Sequence, residues 1–235
     1  MPIFNQDGID IRYEEYGNPR GFPVLLLSPG GMNSTVNAWA TMPWDPRKKL
    51  KDFRVIAMDQ RNAGKSKGPL TEQGWVEYAA DQLALLEYLH IDAFHAVGMC
   101  IGGPYVIGLA FAQANALRRG VLLQPIGLDD NRQDFYQMFD RWKEQIKHDH
   151  PEATAEQWEA YKHEMFGSDD FLFCASEDDL RRVSTPLLVL HGNDLFHPAS
   201  VSQRIVANAP NVTSVVEWKT DVEKTDRIIQ DFLRG

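Results

Sequence analysis

The chain of 235 residues has only two cysteines, no excess of basic residues, no long apolar run and no histidine after position 197. Each shortage excludes something. Two cysteines, Cys100 and Cys174, allow at most one bridge and no disulfide framework, so a reducing compartment is expected. The first residues, "MPIFNQDGIDIRYEEYG", have neither the basic start nor the apolar stretch of a secretory leader, and a soluble cytoplasmic protein is expected. Lys and Arg number 24 against 33 Asp and Glu, a net charge of −9, which argues against a nucleic-acid groove or an anionic membrane surface as partner. "DQRNAGKSKG" has glycines and lysines but lacks the G-x-x-x-x-G-K-[ST] spacing of a phosphate loop, and no His/Cys/Asp cluster has zinc spacing. No cofactor or metal is implied. The expected partner is a small-molecule substrate or ligand, with a homodimer left open.

What is present is an alternation of strand and helix signals, the pattern of a mostly parallel sheet wrapped by helices on both faces. Residues 9–15 alternate apolar and polar side chains, as a half-exposed antiparallel edge strand does. Short apolar runs at 23–28, 53–58, 94–99, 120–124, 186–191 and 213–218 read as strands buried on both faces. Helices are expected over 71–90, 101–115, 199–208 and 221–233; the first sets Trp75, Ala79, Leu83, Leu86 and His90 on one stripe. Residues 129–180 break the alternation. They hold 15 acidic against 5 basic side chains, whereas the rest of the chain holds 18 against 19. This aromatic, acidic, helical stretch is expected to be an insertion into a core formed by 1–128 and 181–235. It reads either as a cap over the strand ends, where open α/β sheets bind ligands, or as an extra helical pair covering exposed sheet.

The stretch with most chemistry is "VGMCIGG", residues 97–103. A G-x-C-x-G-G sequence directly after an apolar β-run and before an apolar helix fits a turn so tight that strand and helix nearly touch. Side chains two residues to either side of its centre would collide, which requires Gly98 and Gly102. Cys100 then stands above the strand ends at a helix N-terminus, which favours the thiolate. The alternative is a small buried hydrophobe.

In these residues the chain resembles the α/β-hydrolase-fold superfamily over nearly its whole length. "LLLSPGGMNS" (25–34) stands where that family has its oxyanion loop. "VIAMDQRNAGKS" (55–66) is similar to the family's D-x-R-G-x-G-x-S stretch, with Asn62-Ala63 in place of the usual glycine. "LLVLHGNDLFHP" (187–198) is similar to the loop that presents the family's acid, with Asp194 in the matching place in a spacing one residue shorter. The cysteine elbow resembles that of dienelactone hydrolases and polyester synthases. Elsewhere the chain is closer to capped esterases, haloperoxidases and epoxide hydrolases, the last of which would call for an aspartate nucleophile.

The resemblance implies a histidine after the last strand, and "VVEWKTDVEKTDRIIQDFLRG" contains none. His197, three residues after Asp194, is one replacement; His148, His150 and His163 of the inserted segment are others. A thiol with a reference pKa of about 8.5 can also attack with weak help from a base. Oxyanion donors are expected from the backbone of Ile101 and of Gly31 or Met32, with Asn33, Ser34 and Gln124 as polar contacts to a ligand and Asp129 or Asp130 as an alternative acid. The expected activity is hydrolysis of an ester, lactone or thioester of a small apolar molecule through Cys100, Asp194 and His197. A ligand-binding protein with a decayed site, and a cyclase or lyase without a covalent step, fit the same residues.

Overall fold

The computed structural model describes residues 2–235. Eight strands form one sheet: β1 (Ile3–Gln6), β2 (Ile9–Gly17), β3 (Pro23–Leu27), β4 (Arg54–Met58), β5 (Phe94–Met99), β6 (Leu117–Leu123), β7 (Leu187–Leu190) and β8 (Val212–Val215). They lie in the order β1-β2-β4-β3-β5-β6-β7-β8; β1 and β2 are antiparallel, as are β2 and β4, and the remaining pairs are parallel. The helices are α1 (Pro46–Lys49), α2 (Trp75–Tyr88), α3 (Gly102–Ala112), α4 (Arg132–Ile146), α5 (Ala155–Phe166), α6 (Glu177–Leu180), α7 (Ala199–Asn208) and α8 (Val222–Arg234). This is the α/β-hydrolase fold.

The apolar runs account for the layers. Along β3, Leu25 and Leu27 join one core with residues of α2 and α3, while Val24 and Leu26 join the other with Trp39, Trp44, Trp218 and Ile229. Strands buried on both faces read as continuous apolar runs for this reason. β3 is followed by β4 on one side and then, across it, by β5 on the other. The loops after β3 and β5 therefore diverge at the carboxyl edge, the place where open α/β sheets form a crevice.

Four expectations are corrected. The run at 213–218 gives a short strand, β8, which lies at the edge of the sheet with no fully buried side chain. β2 is not the edge strand, because a short β1 pairs outside it through Ile3–Gln6. β6 starts at Leu117 rather than 120, and Gln124 lies just beyond its end. The buried side of α2 includes Tyr78, Asp81 and Gln82, while Leu83 is only half-buried and His90 is exposed past the helix end. Polar residues face inward here because they meet polar partners. Asp81 takes a two-pronged bond from Arg61 (2.6 and 2.8 Å), and Gln82 donates to Gln60 (3.1 Å).

The acidic stretch carries α4, α5 and α6. In α4, Phe135, Phe139 and Trp142 recur at helical spacing on the buried side. They meet an aromatic row on α5, with Phe139 against Tyr161 (5.2 Å between rings) and Phe135 against Phe166 (5.2 Å). Capping boxes at Thr154/Gln157 and Ser176/Asp179 start α5 and α6. The pair is joined to α2 by Trp75 Nε1 donating to the Met165 carbonyl (2.9 Å) and by a Tyr78–Tyr161 hydroxyl contact.

At the opposite edge of the sheet, burial and the nearby Arg119 charge pull His95 down to about 4. The unfolded chain takes up that proton near the ordinary value of about 6.5, so the neutral ring stabilises the fold fully above that pH and loses its contribution as pH falls towards 4. The effect is of the order of 2 kcal/mol once solvent screening is allowed for. The urea midpoint is expected to drop across this window, and His95→Gln to flatten the drop. An equal slope in the variant would assign the acid sensitivity to other groups.

Candidate active site

Cys100 follows β5 with a φ of 61°, and α3 begins two residues later. The close approach is measured by its glycines: a Cβ on Gly98 would lie 2.0 Å from the Gly102 carbonyl oxygen, and one on Gly102 would lie 2.1 Å from that of Leu27. The turn is locked by backbone bonds from Cys100 N to Leu123 O (3.0 Å), Ile126 N to Cys100 O (3.2 Å) and Gly103 N to Cys100 O (3.0 Å). A non-glycine residue at positive φ stores strain, here at the partly buried thiol.

Beside the thiol lies His197, whose side chain is 12% exposed. Burial alone would push Cys100 up. The neighbouring His197 imidazole outweighs it, helped by the backbone N–H groups of Gly30 and Ile101, and the thiol sits below its ordinary value. Burial likewise works against the imidazolium, yet the Cys100 thiolate and the Asp194 carboxylate hold His197 above its ordinary value. His197 Nε2 makes no close, well-aligned hydrogen bond. Its other nitrogen, Nδ1, is 2.7 Å from Asp194 Oδ1. The same oxygen accepts from the backbone N–H of Phe196 and of His197, both 3.1 Å. These bonds and the charge of His197 overcome desolvation and keep the carboxyl below its usual range.

Acid and imidazole thus share one four-residue turn, closed by Asp194 N to His197 O (3.2 Å) and His197 N to Asp194 O (3.1 Å). The turn folds back onto Gly192, where a Cβ would meet the His197 carbonyl oxygen at 2.3 Å and His197 Cβ at 2.6 Å. After β8 the side chain turned inward is Trp218, buried and donating to the His191 carbonyl (2.9 Å). The three histidines of the inserted segment lie against other groups. His148 faces Asp149 (3.5 Å), His150 faces Glu152 (3.5 Å), and the His163 ring lies over Gly167.

The remaining sequence candidates fall around this cluster. Ile101 lends its N–H to the thiol side. In the β3 loop Gly30, with φ at 124°, also lends its N–H to the thiol, and Gly31 and Met32 begin a single 3₁₀ turn at Gly31–Asn33. Gly31 lies instead against the Met138 side chain of α4, Met32 is buried in the core, and Asn33 is exposed at a cavity of about 550 Å³ shared with Lys67, Asp149, His150 and Glu152. Ser34 is spent on the Ser28 carbonyl (2.7 Å). Gln124, half-buried at a φ of 38°, leaves Oε1 without a protein partner, as do Ser28 Oγ and His191 Nε2. Asp129 is exposed and accepts from Ser200 (2.7 Å). Asn62 adopts a φ of 60°, a left-handed conformation that asparagine tolerates better than most residues, so the loop keeps its path without the usual glycine. Burial pushes the second thiol, Cys174, up to about 12.

Two neighbours were not legible beforehand. Tyr105 is buried one turn into α3; after burial, Tyr161 and Asp81, the charge of Cys100 contributes to its raised pKa. Met138 covers Gly31 from a helix more than a hundred residues away in sequence. Among the described residues no group of three His, Cys, Asp or Glu side chains is placed to hold a metal ion, and no helix is long and apolar enough to cross a membrane.

Comparison with known proteins agrees with this architecture. A family model described as the alpha/beta hydrolase fold matches residues 23–220. A probable proline iminopeptidase of Leptolyngbya boryana is 31% identical over 170 residues, covering 68% of this chain and 51% of that protein. The chain thus matches about half the length of that relative. A non-heme chloroperoxidase of Streptomyces lividans is 26% identical, with 88% of each chain covered. Among solved structures, an enol-lactonase from Burkholderia xenovorans LB400 superposes with a TM-score of 0.71 at 19% identity, covering 100% of both chains.

Proposed function

The chain belongs to the α/β-hydrolase fold family, and on that premise we propose that it is a hydrolase of esters, lactones or thioesters that works through a covalent thioester on Cys100. The observation that carries this reading is the placement of His197 beside the Cys100 thiol at the carboxyl edge of the sheet, with its Nδ1 2.7 Å from Asp194 Oδ1. A thiolate paired with an imidazolium is a nucleophile and a proton donor held together.

The steps follow from that pairing. The Cys100 sulfur attacks the acyl carbonyl carbon and forms the C–S bond. The N–H groups of Gly30 and Ile101 receive the oxyanion, and His197 gives its proton to the departing oxygen or sulfur. His197, now neutral and oriented by Asp194, takes a proton from water. The resulting attack on the thioester releases the acid and returns the thiolate. The elbow cysteine aligns this reading with dienelactone hydrolases, and the likeness to an enol-lactonase supports lactones as a substrate class. In the same reading, residues 129–180 cap the site, with Met138 resting on the oxyanion loop.

The test is mass spectrometry of the protein mixed with a short-chain aryl ester, a thioester and a lactone. Turnover with a transient acyl mass on the peptide containing Cys100, and none on that containing Cys174, is the expected result. Ligand binding without turnover or adduct would replace the hydrolase by a binding protein, and turnover without an adduct would favour a non-covalent mechanism.

A further inference from the structure

The Asp194–His197 turn has few holds of its own. Leu195 at its crest is exposed, and half of the Asp194 side chain faces solvent. Apart from bonds within the turn and the approach of His197 to Cys100, one hydrogen bond reaches residues 194–197 from another part of the chain among the described residues: Asn131 Nδ2 donates to the Leu195 carbonyl at 2.6 Å. One aromatic contact does the same, Phe196 meeting Phe135 edge-on at 5.3 Å. Both partners lie at the start of α4.

Asn131 is 2% exposed and stands at the N-cap of α4, where asparagine usually accepts a backbone N–H of the first turn. It makes no such cap bond. Its Oδ1 accepts from Asp129 N (2.9 Å), and its Nδ2 donates to Gly127 O (3.1 Å) as well as to Leu195 O. Two carbonyls on one side and an N–H on the other fix the amide orientation, because the flipped form would set oxygen against oxygen. A second tie runs parallel, from Ser200 Oγ to Asp129 Oδ2 (2.7 Å). The loop after β6 is thereby clamped to the loop after β7, and a residue in a position suited to helix capping is spent on the clamp.

We propose that Asn131 is a positioning residue for His197, holding the acid–base turn from the first turn of α4. The inference rests on the proposed function, since it assigns His197 as the base. It makes the helical segment part of the catalytic geometry: a displacement of α4 carries the imidazole with it.

The test reads the Cys100 thiol directly, as the rate of iodoacetamide alkylation against pH, with Cys174 as the slow internal reference. The wild-type profile is expected to rise below the ordinary thiol range and that of His197→Ala to rise at or above it. Asn131→Ala is expected between the two, with kcat lowered by about 10-fold and KM changed little, as loss of orientation rather than of binding requires. Should that variant fold poorly, Asn131→Asp is isosteric, keeps the acceptor for Asp129 N and loses the donor to Leu195. Phe135→Leu weakens the second hold. A shift in either of these supports the proposal. Profiles of the Asn131 variants that superimpose on wild type while His197→Ala shifts overturn the positioning role alone. A His197→Ala profile identical to wild type overturns the proposed function, and the positioning role with it.

Discussion

Cys100→Ala is expected to lower kcat on any turned-over ester by at least about 10,000-fold, because on the proposed mechanism it removes the covalent nucleophile and leaves only binding and oxyanion stabilisation. Stability should hardly change: the side chain is small and partly exposed, and alanine meets the same left-handed backbone as cysteine. Cys100→Gly should be equally inactive yet more stable, by about 1 kcal/mol, since glycine relieves the positive φ of 61°. A catalytic group held at a strained position gives this opposition between stability and activity, whereas a cysteine kept for packing does not. Cys100→Ser adds a finer distinction. The hydroxyl is not ionised near neutrality, and the shorter C–O bond draws the nucleophile back from an imidazole whose contact is already loose. A loss of about 100-fold or more is therefore expected for serine, intermediate between wild type and alanine. Initial rates on an aryl ester, corrected for background hydrolysis, check all three. Wild-type turnover in the alanine variant would place the nucleophile elsewhere.

What the sequence could show is set by how local the physics is. Gly98 and Gly102 are needed because two backbone segments approach within one Cβ radius, and that constraint is written within five residues. The same holds for strands buried on both faces. β1 was missed because four residues with a single buried side chain, Phe4, carry almost no pattern. The stripe on α2 holds at Trp75, Ala79 and Leu86, but it omits Asp81 and Gln82, which are admitted to the buried face by Arg61 and Gln60, some twenty residues upstream. At the site, Asp194 and His197 were visible as neighbours on one loop. The turn that brings them to Cys100 depends on the missing Cβ of Gly192, which acquires meaning only when the turn is folded onto it. The role argued for Asn131 follows from a partner 64 residues away. Contacts of that range leave no periodic trace in a single sequence.

His197→Ala is expected to reduce kcat/KM on unactivated esters by about 1,000-fold, within the range of general acid–base catalysis. The loss should depend on the leaving group. With an aryl ester or a thioester the departing group needs little protonation, and the remaining thiolate can still attack, so the defect shrinks to about 10-fold. With an alkyl ester the proton must come from His197, and the full defect appears. The pH profile should move in a defined direction. His197 lies above its ordinary value because Cys100 and Asp194 favour its charged form, and Cys100 lies below its own because His197 favours the thiolate. Removing the imidazole leaves burial as the largest influence on the sulfur, so the rising limb of acylation moves to higher pH. Asp194→Asn keeps an acceptor for the two backbone N–H groups and deletes the charge, so its limb should lie between those of wild type and His197→Ala. Rates for alkyl and aryl esters across pH 5–10 decide the matter. An equal defect with both leaving groups would remove His197 from the proton path, and an unmoved limb would remove it from the thiol. The imidazole works at both points only if both change.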